Sequence, residues 1–112
     1  MINKAATAVA IVALLVGCAT VDVTKTGKGF HSPTQASSVE ILKTRPEAKY
    51  EELGTVTVTG FDASDTAKMH NAIRAKSAAL GADAVILTEA GIIREAFGSK
   101  QWATGVAIAY RK

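Results

Sequence analysis

The segment from Asp62 to Thr88 constrains this chain more than any other, because it reads as one amphipathic helix running straight into one buried strand. Asp62, Ser64 or Asp65 can supply an N-cap, and Met69, Ile73, Ser77 and Leu80 recur every three or four residues, so they share one side of a helix. Gly81 is the expected left-handed stop. Ala82-Asp83-Ala84-Val85-Ile86-Leu87-Thr88 follows at once and is apolar on both alternations, as a central strand is. A chain of 112 residues has room for one such packed unit and not for two domains.

The flanking segments supply the rest of a sheet. Val39 to Lys43 places Val39 and Ile41 on one face and ends before Arg45-Pro46, where proline forces a turn. Gly54-Thr55-Val56-Thr57-Val58-Thr59-Gly60 has a period of two, valines on one side and threonines on the other. Gly91 to Lys100 contains Arg94, Glu95, Gly98 and Ser99 and reads as a polar loop or irregular hairpin end. The last strand, Trp102 to Tyr110, carries no charge. The expected fold is therefore α+β: a small ββαββ two-layer domain over residues 38–112, with one helix on a mainly antiparallel four-stranded sheet.

One helix covers only one face of a sheet. Trp102, Thr104, Val106, Ile108 and Tyr110 alternate with Ala103, Gly105, Ala107 and Ala109. The large set, together with Val56 and Val58, is expected under the helix. That leaves Thr55, Thr57, Thr59, Ala103, Gly105 and Ala107 as a flat, uncharged face, open to a partner protein or a second copy. The alternative is an ordinary weakly polar solvent face, which antiparallel sheets tolerate.

The N-terminus carries an address. Met1 to Lys4 is a short positive start, and Ala5 to Val16 is apolar apart from Thr7, too short for the roughly 20 residues of a spanning helix. Leu15-Val16-Gly17-Cys18 resembles the lipobox of bacterial lipoprotein precursors. The resemblance implies cleavage between Gly17 and Cys18, removal of residues 1–17 as a signal peptide, and acylation of Cys18 with three chains. Ala19 stands where an aspartate would signal inner-membrane retention, so the resemblance implies the outer membrane, facing the periplasm. Several acyl chains, each contributing about 0.8 kcal/mol per buried methylene, hold a protein stably where one does not. Residues 18–37 have tether composition; if flexible, they would hold the domain roughly 25 Å from the lipid. The alternative is that Val21 and Val23 add an edge strand.

A second resemblance rests on Tyr50-Glu51-Glu52-Leu53-Gly54-Thr55-Val56, on Ile73 and Ser77, and on Leu80-Gly81-Ala82-Asp83-Ala84-Val85-Ile86. These residues are similar to the outer-membrane lipoprotein family that senses envelope damage for the Rcs phosphorelay. They are similar also to the YbjQ-like group of small domains, which have been called heavy-metal-binding. The first implies stress sensing through a protein partner; the second implies a small-ligand or metal-binding oligomer. The disulfides of the Rcs sensor do not carry over, since Cys18 is the single cysteine. Beside the resemblance, Gly81 ends the helix, Ala82 and Ala84 keep the turn close to the sheet, and Asp83 can bond backbone amides.

Other chemistry is sparse. The formal net charge is +3, and Lys4 leaves with the signal, far from the cationic patch that nucleic acid requires. Metal sites want three or four ligands, whereas His31 and His70 are the two histidines, so no metal site and no cofactor is expected. His70 with Asp65 or Ser77 could be drawn as a catalytic set, yet these are common helix-surface residues; Lys76 and His70 flank the apolar stripe. Glu51-Glu52 reads as a solvated acidic corner, and Gly27 with Gly29 lacks the strand and helix of a phosphate loop. The expectation is a lipid-anchored envelope module that is not an enzyme. It would bind an envelope protein or itself, in addition to the membrane.

Overall fold

The computed structural model describes residues 19–27, 29 and 31–111; Gly17 and Cys18 lie outside them. The strands are β1 (Thr20–Lys25), β2 (Glu40–Leu42), β3 (Tyr50–Asp62), β4 (Ala84–Glu95) and β5 (Gly98–Tyr110). A 3-10 turn, Ala36–Ser38, precedes β2, and one α-helix, α1 (Thr66–Ala79), joins β3 to β4. The protein is α+β, with one helix on a five-stranded mixed sheet of order β1-β3-β5-β4-β2. β1, β3, β5 and β4 pair antiparallel in that order, whereas β2 lies parallel to β4.

The helix begins and ends as its sequence dictates. Asp65 is the N-cap, its carboxylate accepting from the Lys68 amide at 3.3 Å. At the other end the Gly81 amide donates to Ala78 O at 2.9 Å and the Ala82 amide to Ser77 O at 3.1 Å, a Schellman closure. Gly81 has φ +89°, which a side chain rarely tolerates. The helix thus stops one residue before the chain must turn back into β4.

The fifth strand corrects the expected count of four and the ββαββ order. Thr20–Lys25 is an edge strand, with Val21 opposite Val58 and Val23 opposite Val56. The physical reason is the length of β3: with β5 on one side, its other edge would leave a row of backbone groups without partners, and β1 supplies them. The following segment is also held to the fold. The Thr26 and Gly27 amides donate to Leu53 O, the Thr34 amide to Ala78 O at 2.9 Å, and Thr34 Oγ1 to Ala82 O at 2.5 Å. Crossing the C-terminal end of α1, it carries the chain from one edge of the sheet to the other. β2 therefore enters parallel to β4.

The core faces also differ from expectation. Ala103, Ala107 and Ala109 lie under the helix with Val56, Val58, Val85, Met69 and Ile73. The large alternates of β5 point the other way. Small residues on the central strand let α1 approach the sheet, and branched side chains from the neighbouring strands fill the space beside them. At Gly105 a Cβ would stand 2.8 Å from Val85 Cγ1 and 2.9 Å from Ile86 O, so this row is already full. Both alternations of β5 are apolar, so periodicity alone could not tell which one faces the helix.

Candidate contact surfaces

The sheet face that α1 leaves uncovered has two regions. Toward the Tyr50 end of β3, Ala84, Ile86 and Ile108 are buried and packed by half-buried Leu42, Tyr50, Val106 and Tyr110. Tyr50 pairs with Tyr110 at that end, and the Arg111 amide donates to Lys49 O at 3.0 Å. Asp83 clamps the corner by accepting the Tyr110 amide at 3.0 Å, the structural role its sequence position suggested, with the bond made across the sheet rather than within its own turn. Burial, reinforced by Glu40 and Asp83, pushes the Tyr110 hydroxyl above its usual pKa, so it stays protonated at neutral pH.

Further along the same face runs a polar row. Thr57 Oγ1 and Thr104 Oγ1 are 3.0 Å apart, and Thr20 Oγ1 and Thr59 Oγ1 are 2.6 Å apart. Thr55 pairs with Val106 and so shares this side. The expected contact face is therefore split. Thr55, Thr57 and Thr59 lie on the uncovered face, whereas Gly105 pairs with Val56 on the helix side, where Ala103 and Ala107 have no exposed surface. Whatever docks on the uncovered face meets threonines and the aromatic end, not the alanines.

Gly91 to Lys100, expected as a polar loop or irregular hairpin end, is the end of a hairpin, and a regular one. β4 and β5 stay paired out to Glu95 and Gly98, leaving only Ala96 and Phe97 in the turn. Gly98 takes φ +114°, which the tight reversal requires. β3 accompanies this hairpin only as far as Asp62 opposite Lys100, so its end stands clear of the rest of the sheet. Ile92 is 62%, Ile93 58% and Phe97 100% exposed. Ile92 and Ile93 are consecutive and so point to opposite faces, which leaves both sides of the tip apolar. Reading Arg94, Glu95, Gly98 and Ser99 as a polar loop or irregular hairpin end passed over these apolar residues; the signal was Ile92-Ile93 and Phe97 within an otherwise polar stretch.

The remaining titratable groups are scattered. Asp62 accepts from the hydroxyl and amide of Ser64 at 2.6 and 2.9 Å, and these bonds, with a smaller effect of Lys100, hold its carboxyl below the usual range. His70 is pushed below its ordinary value by partial burial and then by Arg74 and Lys43. His31 Nε2 lies 3.2 Å from Glu51 Oε2, far in sequence from His70. Among the described residues, no three His, Cys, Asp or Glu side chains converge as metal ligands would. A cavity of about 10 Å³ lined by Lys25, Gly27, Gly29, His31, Leu53 and Leu80 is about the size of one water. A shallow polar groove lies between α1 and the 3-10 turn, where Arg74 Nε donates to Val39 O at 3.1 Å and its Nη1 to Asn71 Oδ1 at 3.0 Å. No described helix is long and apolar enough to cross a membrane.

No family model matches the chain, and no curated protein matches it. Among solved structures, the fold is similar to the crystal structure of a Francisella virulence factor, FvfA. The TM-score is 0.61 at 13% identity, covering 80% of this chain and 97% of that one. At such identity the likeness shows a shared fold and nothing of activity or partners.

Proposed function

We propose that this chain is a lipid-anchored module of the cell envelope, without catalytic activity, that binds another protein or a second copy through the uncovered face of its sheet. The observation that carries this reading is the apolar cluster around Ile108 on that face, rimmed by Leu42, Tyr50, Val106 and Tyr110, which a two-layer domain does not need for its own core. The anchor follows from Leu15-Val16-Gly17-Cys18 after a charged start and an apolar run. Its place is the outer membrane, facing the periplasm. Envelope stress sensing, as the resemblance to the Rcs sensor family implies, is the narrower form of the same reading.

In-cell photocrosslinking from Thr57 and Tyr110 on this face, with exposed Lys76 on the helix as control, tests the partner face. A discrete adduct from the first two and none from Lys76 supports it, and the adduct's mass separates self-association from a different protein. Equal labelling from all three, or none, removes the face from consideration. The anchor is tested by Cys18→Ser, which should leave an unprocessed or soluble species. Normal maturation with unchanged membrane fractionation would overturn it.

A further inference from the structure

The exposed β4–β5 tip and the N-terminal end of β1 lie at the same end of the sheet. β1 runs antiparallel to β3, with Thr20 opposite Thr59, so the N-terminal end of β1 is the end nearer Asp62 and Lys100. That is also the direction in which the hairpin projects. Thr59 lies one residue beyond Val58, which pairs with Ala103, so Thr20 stands near the level of Trp102, five residues short of Phe97. At about 3.3 Å per residue the tip extends roughly 13 to 16 Å past that level. Cys18 is two residues from Thr20, hence within about 7 Å of it. Phe97 therefore reaches about 6 Å or more beyond the farthest point that two residues of chain from Thr20 can span in that direction, whereas Ile92 and Ile93, opposite Gln101 and Lys100, stand within that span.

We propose that the β4–β5 tip is a second membrane contact, in which Phe97 enters the phospholipid interface beside the acyl chains of Cys18, with Ile92 and Ile93 at its headgroup edge. The proposal rests on the lipid-anchor reading of Cys18. The depth agrees with the roughly 5 to 10 Å by which interfacial elements bury their apolar side chains. The chemistry agrees as well. A fully exposed aromatic forms the tip, Glu95 and Arg94 stand between it and the two exposed isoleucines, and Lys100 is level with Ile93, so that the two cations can reach phosphates while their stems stay apolar and the Glu95 carboxylate turns to the headgroup water. Asp62 pairs with Lys100 and so lies level with Ile93, which places both at the headgroup side and leaves Phe97 to pass beyond them. A chain joined to the sheet only two residues after its anchor holds the domain against the lipid rather than at the end of a tether. The opposite end of the sheet, with Tyr50 and Tyr110, then faces away from the bilayer.

The test uses the matured full chain, reconstituted in vesicles of phosphatidylethanolamine and phosphatidylglycerol. Nitroxide labels are placed on Phe97→Cys and, at the far end, on Lys49→Cys. Cys18 is the single cysteine, so in the acylated protein the introduced thiol alone reacts. The expected result is a Phe97 label relaxed by membrane-dissolved oxygen and protected from a water-soluble nickel chelate by at least threefold relative to the Lys49 label. A Phe97 label as open to the chelate as Lys49 overturns the proposal while leaving the anchor in place. Protection from both reagents reports burial against a second copy and also overturns it. A free thiol on the unsubstituted matured chain shows that Cys18 is not acylated, and that outcome overturns the anchor and the proposal together.

Discussion

The indole of Trp102 lies against Gly91. A Cβ added at Gly91 would stand 2.7 Å from Trp102 Nε1 and 2.9 Å from Cε2. The two residues oppose each other across β4 and β5, beyond the reach of β2, which pairs only with Ala84, Val85 and Ile86. Glycine here lets an aromatic ring lie across the neighbouring backbone at the base of the hairpin. The contact links the folded body of the sheet to its projecting tip.

Gly91→Val should therefore push the indole out of place. Overpacking of this kind costs about 1 to 3 kcal/mol. Trp102 is the sole tryptophan, so its emission reports on its own environment. The expected outcome is a lower urea midpoint together with a red-shifted native spectrum. An unchanged midpoint and spectrum would mean that the ring swings aside freely.

Two other glycines separate backbone strain from steric overlap. Gly81 and Gly98 both have positive φ, at +89° and +114°, yet a Cβ at Gly98 meets nothing within 4 Å. At Gly81 it would overlap His31 Cβ and lie 2.9 Å from Ser32 O. Gly98→Ala should cost about 1 kcal/mol from conformation alone, and Gly81→Ala about 2 to 4 kcal/mol because overlap is added. Equal losses in denaturant unfolding would show that the segment after Gly29 yields without cost.

His70 gives a pH dependence whose sign is fixed by its surroundings. Burial, Arg74 and Lys43 all lower its pKa from the ordinary 6.5, so between the two values the unfolded chain binds more protons than the folded one. Its contribution is complete above about pH 6.5 and is lost as pH falls through the folded value. NMR titration of the ring should give a midpoint below 6.5, and Arg74→Met should raise it by removing one of the nearby charges. A midpoint at or above 6.5 would show that burial and the two cations do not govern the ring.

How much of this was legible in the sequence depended on whether each signal was local. Gly81, the Met69-Ile73-Ser77 stripe and a cap from Asp62, Ser64 or Asp65 were legible because caps and periodicity act within a few residues, and the structure picks Asp65. The threonine and valine alternation of β3 was equally plain. What was not legible needed knowledge of partners far along the chain. Val21 and Val23 become a strand because the free edge of β3 is there to receive them, and the two apolar sets of β5 are told apart only by where the helix lands. The split of the threonines from the alanines follows directly: Thr57 and Ala107 belong to opposite sides of one sheet. The hairpin tip was hidden for a different reason, since Arg94, Glu95 and Ser99 masked two isoleucines and a phenylalanine that no longer-range partner covers among the described residues.

Ser77 shows the cost of a polar residue on an apolar stripe. It is fully buried on the helix face toward the sheet, and its hydroxyl has no hydrogen-bond partner among the described residues. Burying a hydroxyl without a partner costs free energy that the unfolded chain, bonded to water, does not lose. Alanine removes the orphaned group, leaves a void of less than a methyl group's volume, and has the higher helix propensity. Ser77→Ala should accordingly raise stability by about 1 kcal/mol in urea unfolding, with an unchanged slope because the buried surface is nearly the same. A loss of stability instead would mean that the hydroxyl is bonded in solution, with the Ile73 carbonyl one turn earlier as the acceptor within reach. The two outcomes differ in sign, so a single pair of unfolding curves decides between them.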